Sequence, residues 1–237
     1  MFDKMAGSMT ANIIFDLDGT LVDSAPSLCA AGNRLVEELG RAPVSVETYK
    51  SFVGRGIPRQ VEGLLEHTGG VPGELSVHLA RFREIYDENP LVATRPYDGV
   101  AAALERLRAA GHRLGVCTQK PTIPGRRVLG GLGLSAWFDS FTFGDSIAVM
   151  KPDPEMIRHT LQDMGPGPVV FVGDSETDSA TAANFGCPFV IHEHGYRKRP
   201  WQEIAHSAHF GHWDAAADCI LAALEAPHAA AGALRLS

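Results

Sequence analysis

Asp16 and Asp18 stand two residues apart at the end of the apolar run Asn12-Ile13-Ile14-Phe15, and Gly19-Thr20 follows at once. Alternation along a strand sends residues i and i+2 to one side, so both carboxylates are expected in one crevice. Clustered carboxylates repel, and a divalent cation or a shared proton must hold them. Asp174 closes the run Pro168-Val169-Val170-Phe171-Val172-Gly173, and Asp178 follows one helical turn later. Acids without His or Cys beside them form an all-oxygen donor set, which suits a hard ion such as Mg2+. Lys151, ahead of Pro152-Asp153-Pro154, adds a cation, and Thr118 after Arg113-Leu114-Gly115-Val116-Cys117 adds a hydroxyl. Together these groups suit phosphoryl transfer, in which one carboxylate attacks phosphorus while metal and lysine neutralise the equatorial oxygens. Two unit charges about 4 Å apart cost roughly 4 kcal/mol at an effective dielectric of 20. A carboxylate nearing a phosphate dianion meets that repulsion more than once, so both cations are needed.

The elements that must position these residues are legible in the same runs. Asn12–Leu17, Arg113–Cys117, Pro168–Val172 and Pro188–Ile191 are short apolar stretches of the kind buried parallel strands present. Helical spacing of Val100, Leu104 and Leu107 before Gly111, and a helical stretch over Asp178–Phe185, alternate with them. Alternating strands and helices predict a doubly wound, Rossmann-like parallel sheet, whose ligands sit beyond the carboxyl ends of the strands. Between Leu21 and Arg95 the pattern changes to helices alone. One is capped by Asp23-Ser24-Ala25-Pro26 and ended by Gly40, one follows Ser45, one starts near Ile57-Pro58, and one covers Leu75 to Tyr86. The expected organisation is an α/β core over 11–22 and 96–226, a helical cap over 23–95, and flexible termini at 1–10 and 227–237.

Composition narrows the function. The chain has 237 residues, 45% of them apolar, which is ample for a buried core and excludes a disordered chain. Its 21 basic against 28 acidic residues give a net charge of −7, so no global electrostatic case exists for a nucleic-acid partner. No apolar run is long enough to span a bilayer, and the opening Met1-Phe2-Asp3-Lys4 lacks the pattern of a secretory signal. Cys29, Cys117, Cys187 and Cys219 form no CxxC pair and read as reduced thiols of a cytoplasmic protein. The expected partner is a small phosphorylated metabolite, bound by a monomer or homodimer without membrane association.

Asp16-Leu17-Asp18-Gly19-Thr20-Leu21-Val22-Asp23-Ser24 resembles the first motif of the haloacid dehalogenase superfamily in its phosphatase form. Thr118-Gln119-Lys120 resembles the second motif, Lys151-Pro152-Asp153-Pro154 the third, and Gly173-Asp174-Ser175-Glu176-Thr177-Asp178 the fourth. The four stand in order, and with the helical insert the resemblance covers roughly Asn12 to Ala223. It implies that Asp16 is the nucleophile and a metal ligand, and that Asp18 protonates the leaving oxygen, activates water and meets the metal through its backbone carbonyl. It implies that Thr118 binds the phosphoryl group, Lys151 orients it with Asp16, Asp174 ligates Mg2+, and Asp178 holds the metal's waters or Lys151. An acid at Asp18 disfavours dehalogenation, because halide leaves without a proton. The nearest group is the phosphoglycolate phosphatases, whose cap specificity loop Gly54-Arg55-Gly56 resembles. There Arg55 would clamp a substrate carboxylate. Gln119 departs from the asparagine often found after the threonine of the second motif. The expected substrate contacts are Gly19, Thr118, Gln119, Lys151 and Arg55, and the best-guess substrate is 2-phosphoglycolate, cleaved through an aspartyl-phosphate.

Other readings stay open. A sugar phosphomutase of β-phosphoglucomutase type shares all four motifs, and a non-catalytic phospholigand-binding protein could retain the fold. A phosphonate hydrolase needs a cap lysine, for which Lys50 alone is available. His192-Glu193-His194 could pair as metal ligands, although the oxygen site already accounts for a metal. Arg197-Lys198-Arg199 reads as a solvated loop that could draw in an anion.

Overall fold

The computed structural model describes residues 9–53 and 56–226. Of the termini expected to be flexible, at 1–10 and 227–237, residues 1–8 and 227–237 fall outside them, as do Gly54 and Arg55. The central strand is β1 (Asn12–Phe15), buried at every position. The chain then makes a short strand β2 (Val22–Asp23) and runs through α1 (Ala25–Glu38), α2 (Val46–Lys50), α3 (Gly56–His67) and α4 (Leu75–Glu88). It returns through β3 (Arg95–Pro96), which pairs antiparallel with β2 and so ties together the two ends of the helical insert. From there follow α5 (Val100–Ala109), β4 (Arg113–Cys117), α6 (Thr122–Gly131), β5 (Ser140–Thr142) and α7 (Glu155–Leu161). The last elements are β6 (Val169–Gly173), α8 (Glu176–Phe185), β7 (Phe189–His192), β8 (Ala208–Phe210) and α9 (Ala216–Glu225).

Six strands form one parallel sheet in the order β5-β4-β1-β6-β7-β8. Successive side chains of β1 go to opposite faces. Ile13 and Phe15 join Leu114, Val116, Val170 and Val172 in a cluster closed by α5 and α9. Ile14 joins Phe171, Ile191, Met156 and Ala182 in the cluster under α7 and α8. Burial on both faces is why these strands read as unbroken apolar runs. Because β1 lies between β4 and β6, the loops after all three strands open into one crevice at the switch point of the sheet.

The insert has its own apolar centre, built from Leu28, Leu35, Tyr49, Val61, Leu64, Phe82 and Tyr86 among others. Gly32 allows α1 to approach closely, since a Cβ there would lie 2.6 Å from the Tyr49 ring. The helices expected in this stretch are present as α1 to α4, and four of the sheet's strands occupy the expected runs. The three-residue edge strands β5 and β8 carry too few residues for a periodic signal. Helix α6 is disguised by Pro124, Gly125, Gly130 and Gly131. Gly125 is small because the Phe143 ring packs against it, with a Cβ there only 2.5 Å from the ring edge.

Candidate active site

Asp16 continues the ladder of β1, its N–H donating to the Val172 carbonyl at 2.9 Å. The chain then bends, and the Leu17 carbonyl accepts from Leu21 and Val22 at 3.0 Å each. Gly19 has φ +86°, and a Cβ at this position would lie 2.6 Å from Asp174 Oδ2. Its N–H donates to the Val22 carbonyl at 2.8 Å and its own carbonyl accepts from His192 Nδ1 at 2.9 Å. Its donor is spent inside the turn, and its contribution is room for Asp174.

Asp174 emerges buried from the end of β6. Thr20 Oγ1 donates to its Oδ1 at 2.8 Å, and the Tyr196 N–H donates to its Oδ2 at 2.5 Å. Burial, then the nearby Asp178 and Asp16 charges, hold its carboxyl well above the usual carboxylate range. Asp178 occupies the first turn of α8 in a reciprocal cap with Ser175. Its Oδ2 accepts from the N–H groups of Asp174 and Ser175 and from Ser175 Oγ, at 3.2, 3.1 and 2.6 Å. Its Oδ1 accepts from Lys151 Nζ at 2.6 Å. Asp178 thus serves as the anchor of Lys151 through Oδ1.

Lys151 Nζ also lies 3.0 Å from Asp16 Oδ1. Burial opposes the lysine's charge, but Asp16 and Asp178 outweigh it and hold the ammonium above its ordinary range. Asp16 is pushed up to about 7, chiefly by burial and against the pull of Lys151. Although Lys151 is close, it stands off the direction of a hydrogen bond, and Asp16 Oδ1 is buried without a hydrogen-bond partner. One oxygen from each of Asp16, Asp174 and Asp178 lies within 4.8 Å of the others. A carboxylate oxygen without a hydrogen bond in an all-oxygen cluster fits a hard divalent cation, which Asp16, Asp174 and Asp178 would hold between them.

Asp18 does not join that trio. Strand β1 ends at Phe15 and the chain bends after Asp16, and the Asp18 carboxylate, in the same cleft as Asp16, pairs with a cation of its own. Lys120 Nζ lies 3.0 and 3.2 Å from its two oxygens, and Ser24 Oγ donates to Oδ1 at 2.5 Å. Its carboxylate is thus engaged by Lys120 and Ser24, and Asp18 lines the same cleft as Asp16. Lys120 is buried and sits 5.0 Å from the centre of the Tyr86 ring. Burial acts against its charge, yet Asp18 and Tyr86 raise its net affinity for the proton. The only sequence signal for Lys120 is its place two residues after Thr118.

Thr118 is buried at the end of β4, where its N–H donates to the Thr142 carbonyl at 2.9 Å and its Oγ1 accepts from the Lys120 N–H at 3.2 Å. Gln119 donates through Nε2 to the Lys151 carbonyl at 3.1 Å, linking two motif loops. The cleft brings together Asp16, Asp18, Thr118, Gln119, Lys151 and Asp174. Arg55 lies outside the described residues. Lys50 pairs with Glu47 at 3.7 Å on α2, and the cleft lining does not include it.

Two further residues support the site without an obvious sequence pattern. The Tyr196 hydroxyl donates to Asp23 and accepts from the Ala25 N–H at 2.9 Å, so the residue that braces Asp174 also holds the start of α1. His192 is buried, and burial pushes its pKa down to about 4, leaving a neutral ring whose Nδ1–H serves the Gly19 carbonyl. Among the described residues it joins no cluster of three metal-binding side chains. In the loop after β7, the N–H groups of Lys198 and Arg199 both donate to Glu176 Oε1.

A family model of haloacid dehalogenase-like hydrolases matches residues 10–186. The phosphoglycolate phosphatase of Cereibacter sphaeroides is 39% identical over 213 residues, spanning 88% of this chain and 96% of that protein. The phosphoglycolate phosphatase of Rhodospirillum rubrum is 40% identical over 200 residues, spanning 81% and 83%. The crystal structure of a predicted phosphoglycolate phosphatase from Haemophilus somnus superposes with a TM-score of 0.83 at 27% identity, covering 91% of this chain and 99% of that one. With the motif residues gathered at three strand ends, the chain belongs to the haloacid dehalogenase-like hydrolases, among the phosphatases of phosphoglycolate phosphatase type, and is by that membership a phosphoric monoester hydrolase.

Proposed function

We propose that the protein hydrolyses 2-phosphoglycolate, or a close small phosphomonoester, by Mg2+-dependent transfer of the phosphoryl group to Asp16. The observation that carries this reading is the state of Asp16. It is the one acid of the trio with a buried oxygen lacking a hydrogen-bond partner, and it lies 3.0 Å from the Lys151 ammonium. The substrate class comes from the phosphoglycolate phosphatases to which the chain is similar. A cation held by Asp16 and Asp174 would supply positive charge against the phosphoryl oxygens.

An Asp16 oxygen attacks phosphorus, and the bond from phosphorus to the ester oxygen breaks. Asp18, in its protonated form, delivers its proton to that oxygen, so the alcohol leaves neutral. The ionised Asp18 then takes a proton from water, whose oxygen attacks the aspartyl-phosphate and returns Asp16 with inorganic phosphate. Lys151, fixed by Asp178, offsets the charge between nucleophile and phosphoryl group, and Thr118 donates its hydroxyl to the phosphoryl oxygens. The division into a core of 11–22 and 96–226 and a cap of 23–95 belongs to the same reading. The cap would cover the cleft during turnover and keep bulk water from the intermediate. A cytoplasmic setting is supported by four free cysteines among the described residues, none of whose helices is long and apolar enough to cross a membrane.

Purified protein with Mg2+ is expected to release phosphate from 2-phosphoglycolate, and chelation or Asp16→Asn to abolish the release. An Asp16→Asn variant as fast as wild type would overturn the nucleophile. Isomerised sugar phosphate formed without free phosphate would replace hydrolysis by mutase chemistry.

A further inference from the structure

The cleft has two unlike walls. Below, the core presents Asp16, Asp18, Thr118, Lys151 and Asp174; above, the insert presents Leu28, Val53, Gly56, Ile57 and Gln60. Among the described insert residues that line the cleft, Gln60 alone has a polar side chain. It is only 6% exposed, and its Oε1 is buried without a hydrogen-bond partner. Leaving a buried amide oxygen unpaired costs about 1–3 kcal/mol. A leucine or methionine would fill this largely apolar roof without that cost, so the placement of Gln60 calls for a partner that arrives from the cleft.

Gln60 lies one turn into α3, whose N-terminal turn also lines the cleft through Gly56 and Ile57. Gly56 comes down close to the core, for a Cβ there would stand 3.4 Å from Met150 and 3.7 Å from Gln119. First-turn N–H groups have no acceptor within their own helix, and the positive end of the helix dipole favours an anion. Described insert residues bring no Asp or Glu to the lining, so nothing on this wall opposes a second negative charge. Turning the amide about its last bond puts Nε2, a donor, where the unpaired oxygen stands. We infer that Gln60, with the first turn of α3, is the specificity-determining contact for the carboxylate of a short phosphorylated hydroxy acid whose phosphoryl group sits on the core wall. This rests on the phosphomonoesterase reading given above, whose substrate end it names.

The test uses the full chain with Mg2+ and three esters: 2-phosphoglycolate, ethyl phosphate, which lacks the carboxylate, and phosphoethanolamine, which carries an ammonium instead. Gln60→Met is expected to raise KM for 2-phosphoglycolate about 10-fold with kcat nearly unchanged, the loss of one charge-assisted hydrogen bond. Its KM and kcat for ethyl phosphate are expected to stay at wild-type values. Gln60→Glu is expected to lower kcat/KM for 2-phosphoglycolate by about 100-fold or more through like-charge repulsion, and to improve phosphoethanolamine. Variants that move the first two esters by one common factor, or move neither, overturn the Gln60 assignment while leaving the phosphatase reading intact. Wild-type protein that releases phosphate from none of the three overturns both. Gln60→Met fills nearly the same volume and keeps the test decisive should the glutamate variant not fold.

Discussion

The ammonium of Lys120 meets both carboxylate oxygens of Asp18, at 3.0 and 3.2 Å, across 102 residues of chain. Both groups are largely buried, and Ser24 adds a hydroxyl to the same carboxylate. The proton-handling acid of the proposed reaction is thus held by a cation from the second motif loop. Breaking such a pair by removing one partner leaves a buried charge without compensation.

Lys120→Met is expected to lower stability by about 3 kcal/mol, the usual cost of half a buried pair. Urea denaturation measures this loss, and an equal midpoint for variant and wild type would show that the pair is idle. Turnover is expected to fall by about 100-fold, in the range of a lost general acid–base contribution, with KM changing much less.

Asp16 gives the cation-free protein a pH dependence of known sign. Its carboxyl is raised from 3.8 to about 7, mainly by burial. A raised folded-state pKa stabilises below the unfolded value, and that contribution is lost as pH climbs through the folded one. Between about pH 4 and pH 7, chelated wild type is expected to lose on the order of 4 kcal/mol relative to Asp16→Asn. Thermal melts of both proteins in chelator across this window check it. A constant difference would place the carboxyl at its ordinary value.

His192 works in the opposite direction. Burial lowers its pKa from 6.5 to about 4, so its contribution is present above 6.5 and lost as pH falls towards 4. His192→Gln keeps a donor near the Gly19 carbonyl but cannot titrate. Its stability relative to wild type is expected to rise on acidification through that interval, by up to about 3 kcal/mol. Comparison with the Asp16 variant separates the two slopes.

Gly19→Ala combines strain with collision. The φ of +86° disfavours any side chain, and the added methyl would stand 2.6 Å from Asp174 Oδ2. A stability loss of about 1–3 kcal/mol is expected from the backbone alone. Displacing Asp174 is expected to weaken Mg2+ binding by about 10- to 100-fold, on the scale of changes beside metal ligands. Isothermal titration with the metal reads this directly. Unaltered affinity would show that Asp174 is not a ligand.

Much of this was written in local sequence. Asp16, Thr118 and Asp174 each follow an apolar run, and burial of such a run on both faces is a local demand that places its last residue at the crevice. The helical insert was legible for the same reason, because Val61, Leu64 and Leu65 repeat at helical spacing without reference to the rest of the chain. The edge strands β5 and β8 were not, since three residues show no period and their pairing comes from neighbours already in place.

The partners of the charged groups belong to the tertiary structure. Sequence spacing put Asp16 and Asp18 in one cleft, but that the second carboxylate pairs with Lys120 comes from the fold. Asp178 carries motif spacing suited to a metal ligand, but that Ser175 and Lys151 are its hydrogen-bond partners is set by the fold. His192 behind Gly19 and Gln60 in the lining of the Asp16 cleft come from separate parts of the chain. Their positions follow from how helices and loops pack over the sheet. Apolar burial acts over a few residues and leaves a pattern, whereas hydrogen bonds and ion pairs join groups far apart in sequence and exist only once the chain has closed.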